Sequence, residues 1–344
     1  MKVTKFPIIE HKKIWFIISL LVIIPGIICM FTKGLNFGID FTGGTIMDLK
    51  FGQPVTITQV RDVMGKYGLD NCTIQLSGAE SGIKESENVM IRTVDLQETE
   101  RKEIMNTLRE QVGDYQVLRE EKVGATIGGE LITNAVLALV VSWALIILYV
   151  SYRFEFSFGL AAVLALVHDI LVVLAFFAFT QRQVDSSFVA ALLTIVGYSI
   201  NDTIVIFDRI RENMKLHFHK GGDIGLLADK SILQTLTRSM YTVFTVLFTT
   251  FALYWFGGDT TKDFAFALLV GFGSGCYSSI FIASPLWSIF HKISDKRKNN
   301  ARAARVAAKA EPAKYNIGRR SMLKRRRRKP APFMDKNAIL LQET

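Results

Sequence analysis

The chain has 344 residues, of which 50% are hydrophobic and 21% charged, with a formal net charge of +10 at pH 7. That balance is too apolar for an ordinary soluble chain, and the apolar residues gather into runs long enough to cross a bilayer. Cys29, Cys72 and Cys276 are scattered, and no Cys/His ligand spacing, phosphate-loop lysine motif or serine-nucleophile elbow occurs. Disulfide scaffolds, metal sites and the common catalytic classes are therefore not expected.

In chain order, a short basic N-terminus (1–13) carries Lys2, Lys5, Lys12 and Lys13 and precedes a first apolar run, Ile14–Phe31. Its core is long and no small-x-small cleavage site follows Pro25, so it reads as an uncleaved anchor. The stretch "NFGIDFTGGT" (36–45) comes next. Gly38, Gly43 and Gly44, with Asp40 between them, suit a backbone that turns or approaches another closely. A phosphate cradle is the functional alternative, but neither a following helix nor a lysine supports it.

The region 32–130 then alternates in period. "TIMDLKF" (45–51) is strand-like, and "TITQVRDVMGKYG" (56–68) has a helical stripe of Val60, Val63, Met64 and Tyr67. "CTIQLSG" (72–78) and "NVMIRTVD" (88–95) read as strands. "ETERKEIMNTLREQVG" (98–113) aligns Ile104, Leu108 and Val112 and stops at Gly113, and "YQVLREEKV" (115–123) is a last strand. The order β-α-β-β-α-β predicts a ferredoxin-like α+β domain, a fold that by itself identifies no function.

Five further apolar runs follow within 131–290: Leu131–Val150, Ser157–Thr180, Ser186–Phe207, Ser239–Phe256 and Phe264–Phe290. The fold class is thus a polytopic α-helical membrane protein with six transmembrane helices and one α+β domain between the first two. Lysine and arginine concentrate at the N-terminus, in the loop after the fourth run and after residue 290, which predicts both termini in the cytoplasm. The α+β domain is then extracytoplasmic.

Polar residues interrupt these runs. Thr194, Tyr198 and Asp202 are spaced to share a face of the fourth helix, with Gly197 and Asn201 on the adjacent strip. Arg238, Thr242, Thr245 and Thr249 share a face of the fifth, and His168–Asp169 lie halfway along the third. The pattern predicts a polar seam inside an apolar bundle. A charge near the bilayer centre costs about 2.5–3.5 kcal/mol on insertion scales, so Asp202 is expected to face a partner or water, as in a proton relay. The structural alternative is a buried ion pair that fixes helix packing, which suits His168–Asp169 equally well. Arg238 lies close to the cytoplasmic end and can instead snorkel. "GFGSG" (271–275) has the spacing of a close helix contact.

The tail, 291–344, is basic and of low complexity. Its run Lys324, Arg325, Arg326, Arg327, Arg328 and Lys329 suits anionic membrane lipid or ribosomal RNA, with a solvated tail as the alternative.

"NFGIDFTGG" after the first run, "VHDI" in the third and "GYSINDTIVIFDRIREN" in the fourth together resemble the SecF side of the SecD/SecF family, over roughly residues 10–290. The resemblance implies a non-enzymatic subunit of the bacterial inner membrane, related to resistance–nodulation–division transporters. It implies pairing with a SecD-like subunit beside the SecYEG channel, with YajC as a further partner. Unfolded exported polypeptide would be the cargo, and the proton, rather than any bound cofactor, the coupling ion. It maps a proton-binding role onto Asp202 and a biasing charge onto Arg238, in "TLTR". A half-size proton-coupled small-molecule exporter and a membrane-anchored scaffold are the alternatives.

Overall fold

A computed structural model of the chain describes residues 7–70, 72–77, 85–217, 222–303 and 305. Among them, six helices are long and apolar enough to cross a membrane. The first, α1 (Lys12–Thr32), continues unbroken through Pro25. A side chain at Gly26 would overlap Ala175 on a neighbouring helix, so this glycine permits a close helix crossing.

The glycine-rich linker is more structured than its composition suggests. It forms a two-residue strand, β1 (Asn36–Phe37), and a single helical turn, α2 (Ile39–Thr42). Gly43 and Gly44 have φ of 72° and 140°, and a side chain at Gly44 would strike the carbonyl of Thr93. Only glycine fits there.

The α/β domain follows as β2 (Gly44–Thr56), α3 (Ile57–Lys66), β3 (Thr73–Ser77), β4 (Glu85–Thr93), α4 (Glu98–Gln111) and β5 (Tyr115–Val123). Its sheet has the order β3-β4-β2-β5 with every neighbour antiparallel. Met47, Leu49 and Phe51 alternate onto one face with Val89 and Ile91, and α3 and α4 cover it with Val60, Val63, Met64, Ile104 and Leu108. Helix α3 starts where Thr56 accepts from the Gln59 amide and the Gln59 side chain accepts from the Thr56 amide, which satisfies two end donors. Helix α4 ends at Gly113, whose amide donates to Leu108 O at 3.2 Å. The first strand is longer than its apolar core, because β2 continues through Pro54 to the cap of α3.

The remaining helices are α5 (Ala125–Arg153), α6 (Phe156–Thr180), α7 (Ser186–His217), α8 (Ile224–Phe256) and α9 (Asp259–Ser278), with a strand β6 (Gln183–Val184) between α6 and α7. Both α7 and α8 extend well beyond the runs Ser186–Phe207 and Ser239–Phe256. The additional turns of α7 are polar and self-paired, as in Arg209–Glu212 and Arg211–Asp208, each 2.6 Å, whereas those of α8 bury Leu227, Ala228 and Ile232 in the core. Helix α9 packs against α6, α7 and α8 and passes into a π-helical turn, Ser279–Ala283, before the chain resumes an α-helix. Gly271 and Gly275 bring α9 against Ile195 and Ser199 of α7, the contact that the "GFGSG" spacing predicts.

Domain and bundle are clamped together through the linker. β1 pairs in parallel with β6, and Asp40 Oδ2 accepts from the Ser186 amide at 2.8 Å, capping α7. Arg182 braces the same junction by donating to Asp263 at 2.6 Å and to the Tyr254 hydroxyl at 2.8 Å. From His291 the chain forms a second unit, helical over its described residues to Ala303.

Candidate functional site: two carboxylates in the helix bundle

Asp202 sits in α7 where α7, α8 and the π-turn meet. Ser239 Oγ of α8 donates to its Oδ1 at 2.5 Å, and Ser279 Oγ of the π-turn donates to its Oδ2 at 2.5 Å. Both serines are buried, while Asp202 itself is half-buried. Two hydroxyl donors stabilise a carboxylate without neutralising it, and among the described residues no cation lies in ion-pair range of Asp202. One turn earlier on α7 stands Tyr198, whose hydroxyl is buried without a hydrogen-bond partner. The arrangement leaves a carboxylate that is hydrogen-bonded, unpaired by charge and partly accessible, which is what reversible proton binding requires.

Asp169 has a different environment. It is 1% exposed, and four donors converge on it. Ser199 Oγ and Ser278 Oγ donate to Oδ2 at 2.7 and 2.8 Å, Ser274 Oγ donates to Oδ1 at 2.8 Å, and His168 Nδ1 lies 3.1 Å from Oδ1. His168 Nε2 then contacts Ser19 Oγ of α1 at 2.9 Å. Nδ1 thus faces Asp169 and Nε2 faces Ser19, whose Oγ also donates to the Tyr277 hydroxyl at 3.4 Å. Four helices, α1, α6, α7 and α9, are thereby tied to one carboxylate. His168 also lines a mostly apolar cavity of about 320 Å³ between α1, α6 and α9.

The structure thus brings together His168 with Asp169, and Asp202 with two serines, but it does not gather every residue that the sequence singles out. The polar seam is not wholly interior. Asn201, Thr194 and Gly197 are exposed on α7, and Arg238, Thr242, Thr245 and Thr249 are exposed on α8. Arg238 makes no ion pair with Asp202 among the described residues. The threonines tolerate this position because their hydroxyls donate to carbonyls of their own helix, Thr194 to Ala190 O at 2.8 Å and Thr242 to Arg238 O at 2.9 Å, for example. Gly38 and Asp40 serve the clamp described above, the Gly38 amide by donating to Val184 O at 2.7 Å, whereas Gly43 and Gly44 turn the chain into β2. Residues Lys324, Arg325, Arg326, Arg327, Arg328 and Lys329 lie outside the described residues.

Sequence reasoning missed five serines, Ser199, Ser239, Ser274, Ser278 and Ser279. The signal for two of them was present: Ser274 and Ser278 are four apart, on one face of an apolar helix. Among the described residues no group of three His, Cys, Asp or Glu side chains is placed to hold a metal.

Six apolar helices, an α/β domain between the first two, and carboxylates held by hydroxyls within the bundle define a polytopic helical membrane protein. Residues 103–293 match the family described as protein export membrane protein SecD/SecF, C-terminal, and residues 30–55 match the SecD/SecF GG motif. The chain is 50% identical to the protein translocase subunit SecF of Acidaminococcus fermentans, over 84% of this chain and 98% of that one. It is 40% identical to the SecF subunit of Sebaldella termitidis, over 88% of this chain and 98% of that protein. The crystal structure of SecDF, a translocon-associated membrane protein from Thermus thermophilus, superposes with a TM-score of 0.75 at 35% identity, covering 84% of this chain. The match spans 39% of that SecDF chain. The chain belongs to the SecD/SecF family of protein-export membrane proteins.

Proposed function

We propose that this chain pairs with a SecD-like subunit and uses the proton motive force to drive late steps of polypeptide translocation through the SecYEG channel, with Asp202 as the proton-binding group. The observation that carries the reading is the Asp202 carboxylate itself, half-buried in an apolar bundle and held by Ser239 and Ser279. A carboxylate placed there without a cation is costly unless its charge is meant to come and go. The exposed strip of Asn201, Arg238, Thr242, Thr245 and Thr249 supports the pairing, since a polar strip on helices of this length is better covered by protein than by lipid. Arg238 would then act from the interface as the charge that biases proton binding.

Both termini lie in the cytoplasm and the α/β domain lies outside it, in keeping with the distribution of lysine and arginine. The domain is read as ferredoxin-like, on the strength of its element order and its antiparallel β3-β4-β2-β5 sheet. It holds unfolded polypeptide weakly, without catalysis, and the cycle uses the proton alone, with no bound cofactor. YajC as a further partner, and lipid or ribosome at the basic tail, complete the reading.

The test is export into membrane vesicles carrying the chain with its SecD-like subunit. Asp202→Asn keeps the size and removes the titrating proton, so abundance stays near normal while gradient-dependent export falls sharply. Asp202→Glu keeps partial activity and Arg238→Met impairs coupling. Wild-type export by Asp202→Asn refutes the assignment.

A further inference from the structure

The two carboxylates are joined by consecutive residues. Ser278, the last residue of α9, donates to Asp169, and Ser279, the first residue of the π-turn, donates to Asp202. The join falls where the helix departs from regular α geometry, and π-turns inside α-helices are frequent at functional sites. We propose that Ser279 is the positioning residue that converts protonation of Asp202 into a rearrangement of the π-turn. The inference rests on the reading of Asp202 as the proton-binding group.

A serine hydroxyl has one proton to donate. That of Ser279 has two acceptors within reach, Asp202 Oδ2 at 2.5 Å and Cys276 O at 3.1 Å. While Asp202 is ionised it can only accept, so the Ser279 proton points at it in a charge-assisted bond. When a proton binds at Oδ2, that oxygen must become a donor. It donates to Ser279 Oγ, and the Ser279 proton turns to Cys276 O, inside its own helix. One O–H bond has formed on Asp202 and none has broken.

The grip on Ser279 weakens, because a neutral hydrogen bond is worth roughly half a charge-assisted one. Ser278 remains bound to Asp169, whose three other donors hold it in place. The change is therefore confined to the turn, which is also tied by Ser284 Oγ donating to Ser279 O at 3.1 Å. Ser239 cannot play this part: it sits in unbroken α8 and has no second acceptor among the described residues. Among the described residues, Tyr198 of α7 and Cys276 of α9 are titratable groups that interact electrostatically with Asp202, while Arg238 of α8 is exposed.

The test is infrared difference spectroscopy, between high and low pH, of the chain reconstituted with its SecD-like subunit in proteoliposomes, read beside gradient-driven export. A carboxylic C=O band that Asp202→Asn abolishes reports the protonated group. Ser279→Ala moves this band to higher wavenumber, since the carboxyl proton loses its acceptor, and lowers export several-fold. Ser279→Thr keeps the hydroxyl and restores both. Ser278→Ala leaves the band in place. A band position unchanged in Ser279→Ala, or moved as far in Ser278→Ala, overturns the role of Ser279 while leaving Asp202 as the proton site. Absence of any band sensitive to Asp202→Asn removes the proton reading itself, and this inference with it.

Discussion

Replacing Asp169 separates a structural carboxylate from a proton carrier. In Asp169→Leu the side chain stays similar in bulk, but Ser199, Ser274, Ser278 and His168 lose their common acceptor. Ser278 has a fallback in Gly275 O at 3.2 Å. Ser199 and Ser274 have none among the described residues, while His168 keeps Ser19 Oγ at 2.9 Å. At about 1–3 kcal/mol for each buried donor left unpaired, and toward the low end because helix carbonyls lie nearby, the loss is about 2–4 kcal/mol. That is a large share of the ~5–15 kcal/mol that holds a typical protein folded. Asp169→Asn keeps one carbonyl acceptor, and its amide can donate to hydroxyls that turn round, so about 1–2 kcal/mol is expected. The assay is thermal unfolding of the purified complex in detergent, with abundance in membranes alongside. Asp169→Leu should fail to accumulate or melt far below wild type, and Asp169→Asn should melt slightly low while still exporting. A wild-type melt for Asp169→Leu would refute the reasoning. Loss of export by Asp169→Asn at unchanged stability would also refute it, and would move Asp169 into the proton path.

Two further outcomes follow from packing and burial. A side chain at Gly271 would overlap Ile195 Cδ1 and Cγ1 and reach 3.0 Å from Cγ2, so Gly271→Val should destabilise the α7–α9 contact by about 1–3 kcal/mol. Ile195→Ala in the same chain should recover part of that loss, which a double-mutant cycle of melting curves measures, and simple additivity would count against the contact. Cys72, in the α/β domain, is 7% exposed, and burial pushes its thiol above the ordinary range. The thiolate is the reacting form, so alkylation of the folded chain should be slow near neutral pH and keep accelerating as pH rises past the usual thiol range, whereas urea should abolish the lag. Fast labelling of folded protein at neutral pH would contradict the burial of this strand edge.

Much of the architecture is legible in the residues alone, because hydrophobic burial writes its period directly into a chain. A bilayer requires about 20 apolar residues per crossing, and each of the six runs meets or nearly meets that length. Alternation at Met47, Leu49 and Phe51 and the stripe at Val60, Val63 and Met64 likewise announce a strand and the helix that covers it. Asp202 was visible for the opposite reason, as a charge where hydrophobicity should rule. What the one-dimensional pattern could not contain is which polar atoms meet across helices. Serine is small and nearly neutral in its preference for lipid or protein, so Ser239 and Ser279 raise no signal until α8 and α9 are set against α7. The same limit made Arg238 and the threonines look interior: helical spacing says which residues share a face, not which way the face turns. That orientation, and the join of Asp169 to Asp202 through Ser278 and Ser279, is decided only when α9 packs against three neighbours at once, because hydrogen bonds between helices depend on distances of a few ångströms that no local pattern encodes.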